Sequence, residues 1–193
     1  ERVGIRTFAD LERWDQAELI RRFGHTGERL WHLARGLDHR RISAHEPVRS
    51  ISNETTFHAD TSDADILDGH IWRMAEKAAS RAKARDKAGR VIVLKLKRAN
   101  HTLITRRISL HQPTQSADTI YRTARALFEQ VSDPGPFRLL GVGLSEICED
   151  TGADLQPDLL DPDAARRMGA ERAADEIRAR FGKDAIIKGR ALR

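Results

Sequence analysis

The segment Arg90–Leu110, RVIVLKLKRANHTLITRRISL, limits the possible folds more than any other part of the sequence. It holds two runs rich in β-branched residues, separated by Ala99-Asn100-His101, which is the pattern of a tight β-hairpin. In the first run Ile92, Leu94 and Leu96 fall on one face, and Lys95 and Lys97 fall on the other. In the second, Leu103, Ile104 and Ile108 surround Thr105, Arg106 and Arg107. Such a hairpin has an apolar side that must be covered. Its other side, cationic and hydroxyl-bearing, is either simply solvated or offered to something acidic and extended.

The flanking sequence supplies the cover. Arg49–Phe57, RSISNETTF, alternates as a strand. Ser62 stands three residues before Asp65, a capping-box spacing that opens a long helix. Leu67, Ile71, Met74, Ala75, Ala78 and Ala82 form its apolar stripe, and Gly89 is read as its stop. After the hairpin, Ser116 caps a second helix with Ile120, Ala124, Leu127, Phe128 and Val131 inward. Asp133-Pro134-Gly135-Pro136 ends that helix, and Phe137–Ile147 reads as a fourth strand. The order β-α-β-β-α-β predicts an α+β sandwich: a four-stranded sheet with two helices on one face and the other face free. By alternation the free face collects Ser50, Ser52, Lys95, Lys97, Thr105 and Arg107. A shift of one residue in the second hairpin strand would put Arg106 there instead.

Residues 1–38 read as short helices with glycine corners, built on Ile5, Phe8, Leu11 and Trp14, then Leu19, Ile20 and Phe23, then Leu30, Trp31 and Leu33. Thr7 and Asp15 suit their starts, and the third is expected over Glu28–Arg35. His25, His32 and His39 recur every seven residues, but Gly24, Gly27 and Gly36 interrupt the helix that would align them on a metal. Residues 39–48 form a charged, proline-marked linker, and 49–148 hold the sandwich. Residues 149–193 are an extension: an acidic loop, then a weakly amphipathic helix on Ala170, Ala173, Ala174, Ile177 and Phe181 that ends at Gly182. The basic tail KDAIIKGRALR reads as frayed.

A net charge of +5 with a third of the residues charged favours a polyanionic partner, nucleic acid first. The single Cys148 excludes an internal disulfide, and Glu146, Glu149 and Asp150 beside it disfavour a reactive thiolate. With no apolar run of membrane-spanning length and no secretory signal, a cytoplasmic monomer is expected. The opening Glu1-Arg2-Val3-Gly4-Ile5, without an initiator methionine, reads as an internal piece of a longer protein.

The succession GIRTFADL, RRFGHTGERLWHLARGLDHR, RSISNETTF, LKLKRANHTLITRRISL and FRLLGVGLSEI resembles the C-terminal half of bacterial DNA polymerase IV, a Y-family translesion polymerase, over residues 1–148. The resemblance implies that residues 1–38 are the end of a helix-hairpin-helix thumb. It likewise implies that 49–148 form a little finger domain whose sheet lies along the template–primer duplex and touches mainly phosphates. Arg49, Lys95, Lys97, Arg106 and Arg107 are then the phosphate ligands, with Ser50, Ser52 and Thr105 adding hydroxyl and amide contacts. The family's palm, which holds Mg²⁺, is not in this sequence. Phosphoryl transfer needs carboxylates around paired metal ions about 3.5–4 Å apart, and no such set is visible, so the piece itself is expected to have no catalytic residues, no metal and no cofactor. Gln156-Pro157-Asp158-Leu159-Leu160 fits the family's clamp-binding form Gln-x-x-Leu-Phe through Gln156, Leu159 and Leu160, with Leu160 where Phe is usual; otherwise it is an acidic linker.

Three other readings are open. An RNA-recognition module would stack bases on sheet aromatics, which the central strands lack. A polymerase-like accessory scaffold without catalysis would share every feature above. An α+β enzyme would have to use Glu54 with His58, or His111.

Overall fold

The computed structural model describes residues 4–41, 47–132, 135–150, 152, 154, 163–182 and 184–192. The chain divides into two compact units, Glu1–Glu46 and Pro47–Arg193.

In the first unit, α1 (Phe8–Glu12) opens on a capping box in which Thr7 Oγ1 accepts from the Asp10 amide at 3.2 Å and Asp10 returns the bond to the Thr7 amide at 2.9 Å. Asp15 caps α2 (Gln16–Phe23), and Gly24, at φ 59°, turns the chain directly into α3 (His25–Ala34). The third helix therefore begins three residues earlier than the sequence suggested, and Gly27 does not break it. A Cβ at Gly27 would lie 2.0 Å from the Leu19 carbonyl oxygen, so glycine there permits α3 to press against α2 over the fully buried Leu19. The His32 and His39 rings approach to 5.6 Å. Among the described residues, no three His, Cys, Asp or Glu side chains gather as a metal site.

The second unit contains β1 (Ser50–Thr61), α4 (Ala64–Lys83), β2 (Lys87–Arg98), β3 (Leu103–Thr114), α5 (Ala117–Glu129), β4 (Phe137–Glu149) and α6 (Ala164–Phe181). The four strands form one antiparallel sheet in the order β1-β4-β2-β3. Helices α4 and α5 cover one side, which carries the core: Ile51, Ile92, Leu94, Leu96, Leu140 and Leu144 from the sheet, and Leu67, Ile71, Trp72, Ile120 and Leu127 from the helices. Each such side chain contributes about 1.5–3 kcal/mol on burial. The predicted α+β sandwich is the fold found.

Two helix boundaries differ from the sequence reading. The N-cap of α4 is Asp63, whose carboxylate accepts from the Asp65 and Ile66 amides at 2.9 and 3.1 Å; Ser62 lies outside it. The helix ends at Ala84, and Gly89 sits inside β2, where a Cβ would meet Leu144 Cβ at 2.7 Å. There glycine serves strand packing and not a helix stop.

Helix α6 docks on the helical layer, though not by the apolar stripe predicted for it. Ala174 alone of that stripe is buried; Ile177 and Phe181 are exposed. The docking side chains are Arg167, Glu171, Asp175 and Arg178, a charged stripe at helical spacing. Nor are the described residues of the tail, 184–192, frayed. Arg73 donates to the Ala191 carbonyl at 2.5 Å, Lys188 lies 4.3 Å over the Trp72 ring, and Gly189–Leu192 closes as a 3₁₀ turn.

Candidate nucleic-acid interface

In an antiparallel sheet, directly paired residues share a face. The register therefore writes out the side away from the helices in four rows across β1, β4, β2 and β3. They are Ser50–Ser145–Val91–Ser109, Ser52–Gly143–Val93–Arg107, Glu54–Gly141–Lys95–Thr105 and Thr56–Leu139–Lys97–Leu103. Helices α4 and α5 lie across the sheet on the rows of Ile51, Asn53 and Thr55; on the rows written out above, Val91 is fully buried, while Ser50, Thr105, Arg107 and Leu103 are exposed.

This register resolves the ambiguity left by the hairpin. Arg107 shares the open face with Lys95, Lys97, Thr105, Ser50 and Ser52. Arg106 pairs with Leu94 and stands on the opposite side, exposed at the edge strand, with its guanidinium on the Thr105 carbonyl at 3.3 Å. Arg49 is exposed one residue ahead of β1, outside the ladder. Six of the eight residues singled out for DNA contact thus stand on one surface, and two do not.

The centre of the face carries two buried glycines of β4, Gly141 and Gly143. A Cβ at Gly141 would come within 2.9 Å of Glu54 Cβ, and one at Gly143 within 2.5 Å of Ser52 Cβ. Glycine at these two positions lets β1 lie close against β4, between Glu54 and Lys95 on one row and between Ser52 and Val93 on the next.

Two carboxylates that the sequence reading named in other roles, Glu54 and Glu146, stand on or beside the face. Glu54 accepts from Lys95 Nζ at 2.7 Å, and Glu146 from Arg107 Nη2 at 3.4 Å. Both pairs are largely solvated, so each contributes at most about 1 kcal/mol and can exchange for a stronger anion. Alternation would have placed Glu54, which has the parity of Ser50 and Ser52. No periodicity finds Glu146, whose φ of 53° lies between the paired Ser145 and Ile147. As catalytic candidates Glu54 and His58 fail on geometry: four residues apart on one strand, they stand about 13 Å apart. His111 is exposed on β3. Gln156, Leu159 and Leu160 lie outside the described residues.

Sheet, helices and face together define an α+β sandwich of the little-finger type, with one broad polar, cation-bearing surface left open. Residues 48–159 match the impB/mucB/samB family C-terminal domain, and the chain belongs to that family. It is 40% identical over 189 residues to DNA polymerase IV 1 of Mesorhizobium japonicum, covering 98% of this chain and 43% of that protein. It is 42% identical over 189 residues to DNA polymerase IV of Brucella melitensis, covering 98% and 42%. The chain therefore spans less than half the length of these relatives. A solved Y-family DNA polymerase chimera shares the fold, with a TM-score of 0.59 and 18% identity over 77% of this chain and 43% of that one. Among the described residues, no helix is long and apolar enough to cross a membrane.

Proposed function

We propose that the open face of the sheet grips duplex DNA through its phosphates, and that this chain is the C-terminal DNA-binding portion of a translesion DNA polymerase. The observation that supports this best is the register that puts Lys95, Lys97 and Arg107 on one uncovered surface with Ser50, Ser52 and Thr105 beside Gly141 and Gly143. Three cations on adjacent rows can follow one phosphate backbone, while the hydroxyls of Ser50, Ser52 and Thr105 bond to phosphate oxygens between them. Roughly four to six phosphate contacts give binding that falls steeply with salt and hardly depends on sequence. A grip of this kind does not inspect base shape, which suits synthesis across damaged template.

In this reading residues 1–38 end a thumb, 39–48 link it to the gripping domain at 49–148, and the protein acts as a monomer. Nucleotide insertion belongs to a palm outside this chain, with Mg²⁺ as its metal. The described residues here offer no carboxylate set that fits such an ion, so no chemical step is assigned to them. Gln156, Leu159 and Leu160 are proposed to hold the sliding clamp. Deleting 156–160 should abolish co-elution with the clamp, and persistence of co-elution rejects that assignment.

The grip is tested by Lys95→Ala, Lys97→Ala and Arg107→Ala together. Duplex affinity should fall about equally on unrelated sequences, and the salt dependence should lose about one unit of slope per phosphate contact removed. An unchanged slope, or a strong sequence preference in the wild type, overturns the reading.

A further inference from the structure

The two flanks of α4 differ in what they do with their charges. On the flank toward α6, Glu76 takes Arg178 at 2.8 Å, and Lys83 takes Glu171 at 2.6 Å and Asp175 at 2.5 Å. On the flank along β1, His70 packs on Phe57 with ring centroids 4.6 Å apart. The turns that follow carry Lys77, Arg81 and, just past the cap Ala84, Arg85. These three stand four residues apart, so they form one line along the helix, and all are exposed. Among the described residues, no carboxylate pairs with any of them.

The two arginines bond to backbone oxygens instead. Arg81 Nη1 donates to the Ser52 carbonyl at 3.1 Å, and Arg85 Nη1 to the Arg81 carbonyl at 3.3 Å. Each bond fixes one corner of a guanidinium and leaves the rest of its fork to solvent. Strand β1 is an end strand, paired only with β4, so the carbonyl that Arg81 reaches is at the edge of the sheet. Arg81 therefore stands at the rim of the open face, at one end of the row Ser52–Gly143–Val93–Arg107, with Arg107 at the other end. In the order β1-β4-β2-β3, three steps of about 4.8 Å separate β1 from β3, roughly 14 Å in all. The major groove of B-DNA, bounded by its two backbones, is about 12 Å wide. One backbone following β2 and β3 does not reach the far end of that row; the second strand of a duplex does.

We propose that Lys77, Arg81 and Arg85 form a second phosphate track, which takes the strand of the duplex opposite to the one held by Lys95, Lys97 and Arg107. The inference rests on the grip proposed above, and it makes the sheet bridge the major groove between two lines of cations. Charge complementarity names the occupant: arginine forks suit phosphate oxygens, and the stripe is continuous at Ser52 with the face already assigned to DNA.

The test measures duplex binding by fluorescence anisotropy over a range of salt. It compares the full chain, Lys77→Gln with Arg81→Gln, and the face variant Lys95→Ala, Lys97→Ala, Arg107→Ala. Arg85 is left in place because its bond closes the last turn of α4. The flank variant should lose about two units of salt slope on duplex, at about 0.9 per phosphate. On a single strand of the same length, which has one backbone only, it should lose less than about half a unit. Arg172→Gln with Arg180→Gln, on exposed positions of α6, removes the same charge and should leave the duplex slope unchanged. If the flank variant keeps the wild-type slope while the face variant loses its share, the second track is overturned and the grip stands. If neither loses slope, both fail. An equal loss on single-stranded DNA, or from the α6 control, means that net charge acts there and overturns the track. Saturable polyglutamate binding that the flank variant abolishes, with the duplex slope unchanged, gives the stripe to an acidic protein segment and likewise overturns it.

Discussion

Lys95 and Arg107 face solvent already attached to carboxylates, and this sets how the sheet can meet an anion. Glu54 at 2.7 Å from Lys95 orients the ammonium but also places a negative charge where a phosphate would lie. Removing that charge while keeping the side-chain shape should help DNA more than it harms the fold. Glu54→Gln is expected to tighten duplex binding by about three- to tenfold at low salt, the scale of one exposed charge pair. Fluorescence anisotropy at two salt concentrations checks it, and weaker binding in the variant would mean that Glu54 positions Lys95 instead of competing for it. The two neighbouring arginines make a sharper comparison. Arg107→Ala should weaken duplex binding severalfold, on the order of 1 kcal/mol for one phosphate contact. Arg106→Ala, on the other side of the sheet, should change it by less than about twofold, since a distant surface substitution acts within about 0.5 kcal/mol. Equal losses from both would contradict the register of β2 on β3. The identity of the open-face residues was readable in advance because side chains alternate strictly along Ile92–Lys97. The choice between Arg106 and Arg107 was not, because Thr105-Arg106-Arg107 breaks the alternation and only the pairing of Lys95 with Thr105 settles it.

At the level of elements, the least legible piece is α6. Its apolar residues are too sparse to predict a docked face, and its docking is polar. Glu171 is buried and acts as a cap for another helix: it accepts from the Ala117 amide at 2.8 Å, the Asp118 amide at 3.4 Å and Ser116 Oγ at 3.1 Å, at the N-terminus of α5. Lys83 of α4 completes it at 2.6 Å. Burial alone would raise the Glu171 carboxyl, but the Lys83 ammonium and the Ala117 amide outweigh it, and the group titrates below its ordinary 4.5. The unfolded chain then takes up the proton first. Stability from this group is complete above about 4.5 and is lost as pH falls through the lower folded value. Glu171→Ala should cost about 3 kcal/mol at neutral pH, the lower end for breaking a buried pair, because Lys83 keeps Asp175 at 2.5 Å. The variant's stability should also lose part of its acid dependence. Urea unfolding at pH 7 and at pH 4 measures both, and a variant that keeps the wild-type acid slope would show that other carboxylates carry it. A cap contributed by a helix more than fifty residues away leaves no local signal, whereas Ser116, three residues before the amide it caps, was readable directly.

Taken whole, the second unit separates its tasks by face. One side of the sheet is open, polar and cationic; the other carries the core, then α4 and α5, then α6 and the tail, held by Lys83–Glu171, Arg178–Glu76 at 2.8 Å and Arg73 on the Ala191 carbonyl. If the grip belongs to the open face alone, the outer layer should matter to stability and not to duplex binding. Residues 151–193 contain nine basic and eight acidic side chains, so their loss hardly changes the net charge that steers DNA. A chain ending at Asp150 should therefore unfold at clearly lower urea concentration, having lost the cap on α5 and the cover over Trp72. At a temperature where it is folded by circular dichroism, it should bind duplex DNA within about twofold of the full chain and with the same salt slope, because no phosphate ligand has been removed. A large loss of duplex affinity in the folded truncation would place DNA contacts on the helical layer or the tail, and the grip would then have to be shared between both sides of the unit.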